Sequence, residues 1–419
     1  MTWERVALRD LGDWFGGGTP FKGNPDFWAG GDIPWLSPKD MGPSVLAGTQ
    51  DRITEAAVAQ SSVRKVPRHS VAVVVRSGIL ERTLPIALVP FETTLNQDMK
   101  AVVARPGIDP SWVAWGLRAF EHTLLRDTRK AGTTVASIEM PRFMNATLPV
   151  PELAEQRRVV EILEDHLSRL DAADQYLVDS LRRQGAWSSA SLQQLVWGRP
   201  FELATVAEVL REPMRNGRSD RASTDPHAVR TLTLTAVTRR DFSNANTKLT
   251  STSREVAKGL WLRRGDVLVQ RSNTPELVGT SALYNGPDDW AIFPDLLIRL
   301  RPDEARMSSR FLAAALRSER AHRSLRAKAK GLAGSMPKID QGALGATLIP
   351  LPPRAVQEAI ADGFDEVART AARLGDAMVA AQRRSQGLRR AVLAAAFEGK
   401  LTGRHADMEV IEELADVQR

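Results

Sequence analysis

Hydrophobic residues along this chain follow two different periods. Short runs rich in branched side chains and bounded by turn formers predict strands: Val71-Ala72-Val73-Val74-Val75, Gly265-Asp266-Val267-Leu268-Val269 and Leu296-Leu297-Ile298-Arg299-Leu300. Residues 111–125 and 309–325 carry helical spacing instead. Strands and helices mix without regular strand-helix-strand alternation, which predicts α+β domains.

Two longer segments place apolar residues on an alternating four-three spacing. In one, Val160, Leu163, Leu167, Leu170, Leu177 and Leu181 keep the repeat, with Asp174 at the one missing position. In the other, Ile360, Phe364, Val367, Ala371, Leu374, Met378, Ala381, Leu388, Val392 and Ala395 keep it, broken only by Ser385. Such a repeat is a seam by which helices pair. A helix of about 35 residues rises about 50 Å, more than the width of a domain of about 150 residues. Packing each helix on its own domain would leave much of the stripe uncovered. The two segments are therefore expected to pair with each other as an antiparallel coiled coil.

The seams belong to a larger repeat, because the chain is two copies of one plan shifted by about 200 residues. Val6-Ala7-Leu8-Arg9-Asp10-Leu11-Gly12-Asp13 opens the first copy and Phe201-Glu202-Leu203-Ala204-Thr205-Val206-Ala207-Glu208 the second. Arg76-Ser77-Gly78 then matches Arg271-Ser272-Asn273, Lys130 matches Lys330, and Ala146-Thr147-Leu148 matches Ala346-Thr347-Leu348. A proline-marked break follows in each copy, then Gln156 or Gln357 inside the helical pattern. The expected division is a first globular domain over 1–150, a helix over 151–198, a second domain over 199–350, a second helix over 351–403 and a tail over 404–419.

Composition narrows the chemistry. With 419 residues the chain has room for two domains and something elongated. It holds no cysteine, which excludes disulfides, thiolate zinc sites and cysteine nucleophiles, and its six histidines lack metal-ligand spacing. A charge carried within the first five residues, and no apolar run long enough to cross a bilayer, lead to the expectation of a soluble cytoplasmic protein with no membrane partner. The formal charge of +7 favours a polyanionic partner.

No active site emerges. Asn24-Pro25-Asp26-Phe27 is the nearest approach to the tetrapeptide with which an amino-methyltransferase holds a flipped base, but Asp26 replaces a proline and no glycine-rich cofactor loop exists. Gly16-Gly17-Gly18-Thr19-Pro20 lacks the lysine and hydroxyl of a P-loop. The acidic pairs Asp288-Asp289 and Asp303-Glu304 stand beside prolines in loops with no partner cluster. No catalytic residue, metal or cofactor is expected.

DNA binding fits better. Residues 310–330 carry seven cations against the single acid Glu319, and Arg118, His122, Arg126, Arg129 and Lys130 form a thinner equivalent in the first copy. Both stretches lead into small-residue loops whose glycines admit a backbone and whose hydroxyls can donate to phosphate. Candidate phosphate contacts are Lys39, Arg126, Arg129, Lys130, Thr133 and Thr134 in one copy. In the other they are Arg317, Arg320, Arg323, Arg326, Lys328, Lys330, Ser335 and Lys338. Arginine and asparagine can read base edges in the major groove, which makes Arg76, Ser77, Arg82, Arg271, Ser272 and Asn273 candidates, with Arg239 and Arg240.

Two strings carry a family resemblance. Gly17-Gly18-Thr19-Pro20 followed by Gly31-Asp32-Ile33-Pro34-Trp35-Leu36-Ser37-Pro38-Lys39-Asp40-Met41 resembles the first recognition domain of type I restriction-modification specificity subunits. Leu148-Pro149-Val150-Pro151-Glu152-Leu153-Ala154-Glu155-Gln156 resembles the lead into that family's central helix, and residues 388–401 its C-terminal close. The second copy departs from the pattern at Arg215-Asn216-Gly217-Arg218 and lacks an acid before Gln357. The resemblance implies a non-catalytic subunit in which each of two target-recognition domains reads half of a split, asymmetric site on double-stranded DNA, with the helices as ruler. It implies two methyltransferase subunits and two ATP-dependent restriction subunits as partners. The rival readings are a solitary DNA methyltransferase or nuclease, and a helical scaffold that binds no DNA.

Overall fold

The computed structural model describes residues 3–130, 135–331, 336–401 and 407–417. The chain divides into two compact units, one of residues 1–177 with 379–419 and one of residues 178–378. Two long helices, Leu153–Trp197 and Arg354–Phe397, give one half to each unit. Among the described residues, no helix is long and apolar enough to cross a membrane.

In the first unit the apolar run becomes the strand Ser70–Val74, buried at every position. It lies in an antiparallel four-stranded sheet ordered Gly12–Gly16, Met99–Ala104, Ser70–Val74, Ile86–Val89. Both faces of this strand are covered, which is why its sequence is continuously apolar rather than alternating. The helix Pro110–Ala119, begun by an Asp109 cap and a proline, sinks Trp112, Val113 and Leu117 into the unit. A second sheet, ordered Asp51–Ile53, Ile33–Leu36, Thr93–Leu95, Lys65–Val66, contains the one parallel pairing of the named strands.

The second unit repeats the first sheet in the same order: Arg215–Asn216, Leu297–Leu300, Val267–Gln270, Ser281–Leu283. Chain ends are tied alike, Arg5–Ala7 pairing with Thr147–Pro149 and Leu203–Thr205 with Leu348–Pro350. A two-stranded pair, Val229–Leu232 with Thr247–Thr250, stands instead of the second four-stranded sheet. The expected helices over 111–125 and 309–325 are each broken in two. The first breaks at Phe120, and the second at Ser318 between Ser309–Arg317 and Glu319–Ala327. Ser318 is fully buried and its hydroxyl donates to the Ala315 carbonyl while accepting the Trp197 indole N–H, a side-chain bond that competes with helix continuation.

The long helices run antiparallel. In the first unit Arg158 donates to the Leu401 carbonyl while Arg389 reaches Asp171 and Asp174, both at 2.7 Å, so rising numbers on one helix meet falling numbers on the other. Val160, Leu163 and Leu167 are buried with Ala391, Val392 and Ala395, and Leu170 and Leu388 pack at the margin. In the second unit Gln184 donates to the Ala371 carbonyl at 2.9 Å, and Ile360 and Phe364 join Leu192 and Val196 in the core. Leu177, Leu181, Val367 and Met378 are half-buried, whereas Leu374 is 42% exposed and leaves the seam. The polar breaks in both seams stay unsatisfied: Asp174 Oδ1 and Ser385 Oγ are buried without a hydrogen-bond partner among the described residues.

One contact recurs identically where each long helix leaves its domain. Gln156 accepts the Asp109 amide at 2.9 Å and donates to the Gly107 and Pro151 carbonyls. Gln357 accepts the Ser308 amide at 2.7 Å and donates to the Arg306 and Pro352 carbonyls. Both glutamines are wholly inaccessible to solvent. Each binds the N-cap residue of its domain's helix to the start of its long helix. Orphaning a buried hydrogen-bonding group costs about 1–3 kcal/mol. Gln156→Leu and Gln357→Leu, which each remove the bonds to three main-chain partners, are expected to lower unfolding free energy by about 1–3 kcal/mol in urea titrations. A loss below about 1 kcal/mol would show that the clamps carry no such role.

Candidate nucleic-acid interface

The central strand of each sheet ends in the same construction. In the first unit the chain leaves Ser70–Val74 through Val75 and Arg76, and the return segment Ala136-Ser137-Ile138 comes back beside it. The Ile138 amide donates to Val75, the Ser77 amide to Ala136, and the Lys130 amide to Ser137. In the second unit the Ile339 amide donates to Arg271, while Lys330 and Lys338 exchange both main-chain bonds at 2.9 Å. Each construction is thus a hairpin closing over the exit of the central strand.

These hairpins gather many of the sequence candidates. Arg76, Arg82, Arg129 and Lys130 are exposed around the first, and the Ser77 hydroxyl caps the turn Gly78–Glu81 that leads to Arg82. Arg129 reaches the Glu81 carbonyl at the limit of hydrogen bonding, 3.5 Å. Half-buried Arg271 and exposed Lys330 and Lys338 surround the second. The side chains of Arg76, Arg82, Arg271 and Lys338 make no hydrogen bond or ion pair with other described residues, so their donors remain available to a ligand. Lys330 has only a long pair with Asp340, at 3.8 Å. Thr133, Thr134 and Ser335 lie outside the described residues.

Comparison with known proteins gives this repeated construction its context. The family model for the type I restriction modification DNA specificity domain matches residues 1–175. The Escherichia coli type I restriction enzyme EcoR124I/EcoR124II specificity subunit is 41% identical over 181 residues, 43% of this chain and 44% of that protein. The match therefore spans under half the length of that relative. The Salmonella potsdam type I restriction enzyme StySPI specificity subunit is 25% identical over 337 residues, 75% of this chain and 70% of its own. A solved chain from work on complex assembly and conformational transition of the type I R-M system shares the fold, with a TM-score of 0.75 at 18% identity over 96% of this chain and 98% of that one. Residues 1–175 thus resemble the type I restriction modification DNA specificity domain, and the chain as a whole shares its fold with the solved type I R-M chain.

Several other sequence candidates already have partners within the chain or lie apart from the hairpin strands. Ser272 is only 1% exposed, because main-chain pairing with Lys338 turns it inward. Asn273 donates to Gln270 and accepts the Thr274 amide, using its side-chain amide to hold its own turn. Lys39 pairs with Asp51 at 2.7 Å beside the other sheet, and Arg126 forks onto Asp127. Arg239 is exposed at the end of the helix Leu234–Arg239, and Arg240 follows it in the left-handed conformation.

The basic stretch over 310–330 is likewise not one face. Arg310 pairs with Glu358, Asp362 and Asp365, and Arg323 and Arg326 both pair with Glu319. Arg317 lies over the Phe364 ring and Arg320 over Trp197, each at 4.2 Å. The carboxylates and rings that capture Arg310, Arg317 and Arg320 come from the long helices, which no local window of sequence reveals. Lys328 alone of the stretch is exposed without a side-chain partner among the described residues.

Sequence reasoning missed a basic, aromatic cavity of about 780 Å³ in the second unit. Arg230, Arg254, Lys258 and Arg263 line it with Trp261 and Trp290, and Arg230 sits 5.0 Å over the Trp290 ring. Its residues are dispersed over 226–290, so their only local signal is the Trp261-Leu262-Arg263-Arg264 string. The near-motif Asn24-Pro25-Asp26-Phe27 is a capped turn, its Asn24 side chain accepting the Asp26 amide.

Removing one phosphate-binding cation from a protein–DNA complex lowers the slope of log affinity against log salt by about 0.9. Lys130→Ala and Lys330→Ala are each expected to lower that slope by about one in duplex titrations over a salt series, whereas Arg323→Ala, whose cation Glu319 already holds, leaves it unchanged. Equal effects from all three would place the duplex elsewhere.

Proposed function

We propose that this chain is the non-catalytic reader of a type I restriction-modification complex, acting in the cytoplasm. Residues 1–150 and 199–350 are the two target-recognition domains, each holding half of a split, asymmetric DNA site. The helices over 151–198 and 351–403 fix the unread spacing between halves, and 404–419 is a tail. The observation that carries this reading is the repeated hairpin over the central strand, which presents Arg76, Arg82, Arg129 and Lys130 in one unit and Arg271, Lys330 and Lys338 in the other. Cations of this kind hold phosphates, and an arginine with unengaged donors can grip a guanine edge bidentately.

Methylation, ATP hydrolysis and cleavage then belong to partners: two methyltransferase subunits and two ATP-dependent restriction subunits. The long helices offer surface for them. In the second unit Trp187 and Leu374 are each 42% exposed, large apolar groups of the kind enriched at protein interfaces.

Two readers on a rigid spacer combine their binding energies only when the DNA gap matches the spacer. Inserting matched heptads into both long helices is expected to lengthen the unread gap while keeping both half-sites, read by mapping methylated sites in cells carrying the intact system. An unchanged gap in a folded, active variant would overturn the ruler. Methylation or cleavage by the purified chain alone, given DNA, methyl donor and magnesium, would overturn the assignment as reader.

A further inference from the structure

We infer that the second unit holds a binding site for a phosphate-class oxyanion, in the notch between residues 184–192 of the first long helix and the pair Arg240 and Arg317. This site is separate from the hairpin contacts and does not depend on the reading of the chain as a DNA reader.

The notch encloses about 350 Å³. Arg317 is half-buried against the Phe364 ring, and Arg240 closes the helix Leu234–Arg239 in the left-handed conformation, φ 55°. Neither guanidinium has a hydrogen-bonded acceptor among the described residues, although both line the same cavity. More deeply placed arginines of the second unit are matched: Arg301 forks onto Asp266 and reaches Glu212, and Arg299 binds Glu212 and two carbonyls. Asp365, the acid that acts on Arg317, is already engaged by Arg310. Burial, with repulsion from Arg240, pushes Arg317 down to about 9. Exposed Arg240 and half-buried Arg317 line one cavity, and with Asp365 shared with Arg310 their mutual repulsion is relieved by an anion bound between them.

A second observation points into the same space. The Ser281 hydroxyl lines the notch, is 1% exposed and has no hydrogen-bond partner among the described residues. Ser188, Ser189 and Thr280 add further hydroxyls around it. His322 turns its Nε2 to the Val278 carbonyl, and burial holds its pKa below the ordinary value, so it adds no third charge. The lining therefore offers two positive charges with guanidinium and hydroxyl donors. That combination matches a tetrahedral oxyanion of about two negative charges, which accepts along several directions and takes arginine bidentately. The terminal phosphate of a free nucleotide carries that charge, while a DNA backbone phosphate offers the same tetrahedral oxygens with a single negative charge.

The test uses the full chain with inorganic phosphate and pyrophosphate, by calorimetric titration and thermal melting, with sodium chloride at matched ionic strength as control. Phosphate is expected to bind and raise the melting temperature beyond chloride. Arg240→Gln with Arg317→Gln is expected to weaken binding at least roughly tenfold, through the removal of charge-assisted hydrogen bonds. Because Arg317 also packs on Phe364, Arg240→Gln alone and Ser281→Ala, which leave that packing intact, are measured alongside and are expected to weaken binding in the same direction. Unchanged affinity in these two variants, or no binding beyond chloride by the native chain, overturns the site. Duplex titrations over a salt series then identify the source. A slope reduced in Arg240→Gln assigns the notch to a backbone phosphate, and an unchanged slope alongside abolished phosphate binding assigns it to a free phosphoryl ligand. The phosphate arm contains no DNA, so its failure leaves the proposed reading of DNA untouched.

Discussion

A buried glutamine with every side-chain donor and acceptor engaged is the joint on which each half of this protein turns. Gln156 and Gln357 each grip one amide and two carbonyls, all from the main chain. The bound amide belongs to the residue that starts the domain's own helix, and one bound carbonyl to a proline two residues before the long helix. Because the glutamine side chains themselves have no access to water, losing them leaves a buried gap in which the more enclosed of their partners go unmet. The direction in which each long helix departs is thereby set by hydrogen-bond geometry. Apolar packing, as of Trp112 against Phe397 with ring centroids 4.4 Å apart, fills the joint around it.

Apolar contact fades along the helix pair away from these joints. Val160, Leu163 and Leu167 are buried near one joint and Ile360 near the other, while Asp174, Ser385 and the exposed Leu374 interrupt the pattern between. Arg389 partly compensates by binding both Asp171 and Asp174. Polar groups at seam positions lower stability but fix register, since a slip of one turn would leave charge against hydrocarbon.

The repeat, the strands and the paired helices were legible in the sequence because each rests on a periodicity that survives folding. Val71 to Val75 could only be a covered strand, and the four-three spacing could only be a seam. Less legible was whatever depends on distant partners. Leu192 and Val196 were overlooked because Gly185, Ser188 and Ser189 dilute the apolar spacing before them. Ser318 breaks a helix because Trp197, over a hundred residues away, gives its hydroxyl a second bond. The arginines of 310–330 looked like one basic face, but Glu358, Asp362, Asp365, Phe364 and Trp197 take three of them out of it. The hairpin candidates fared differently, since Arg76 and Arg271 follow directly from strand ends that the sequence marks, while the burial of Ser272 depends on the return of Lys338.

The clamps also say something about how such a chain can change over generations. Both glutamines hold only atoms common to every residue, so the grip makes little demand on the side chains of the domain it holds. Loops and strands beyond the joint are free to diverge, as the two halves of this chain have done, with a four-stranded second sheet in one and a two-stranded pair in the other. A coupling made of backbone works as a standard socket, into which a differently decorated domain can be set by recombination without redesign of the shaft.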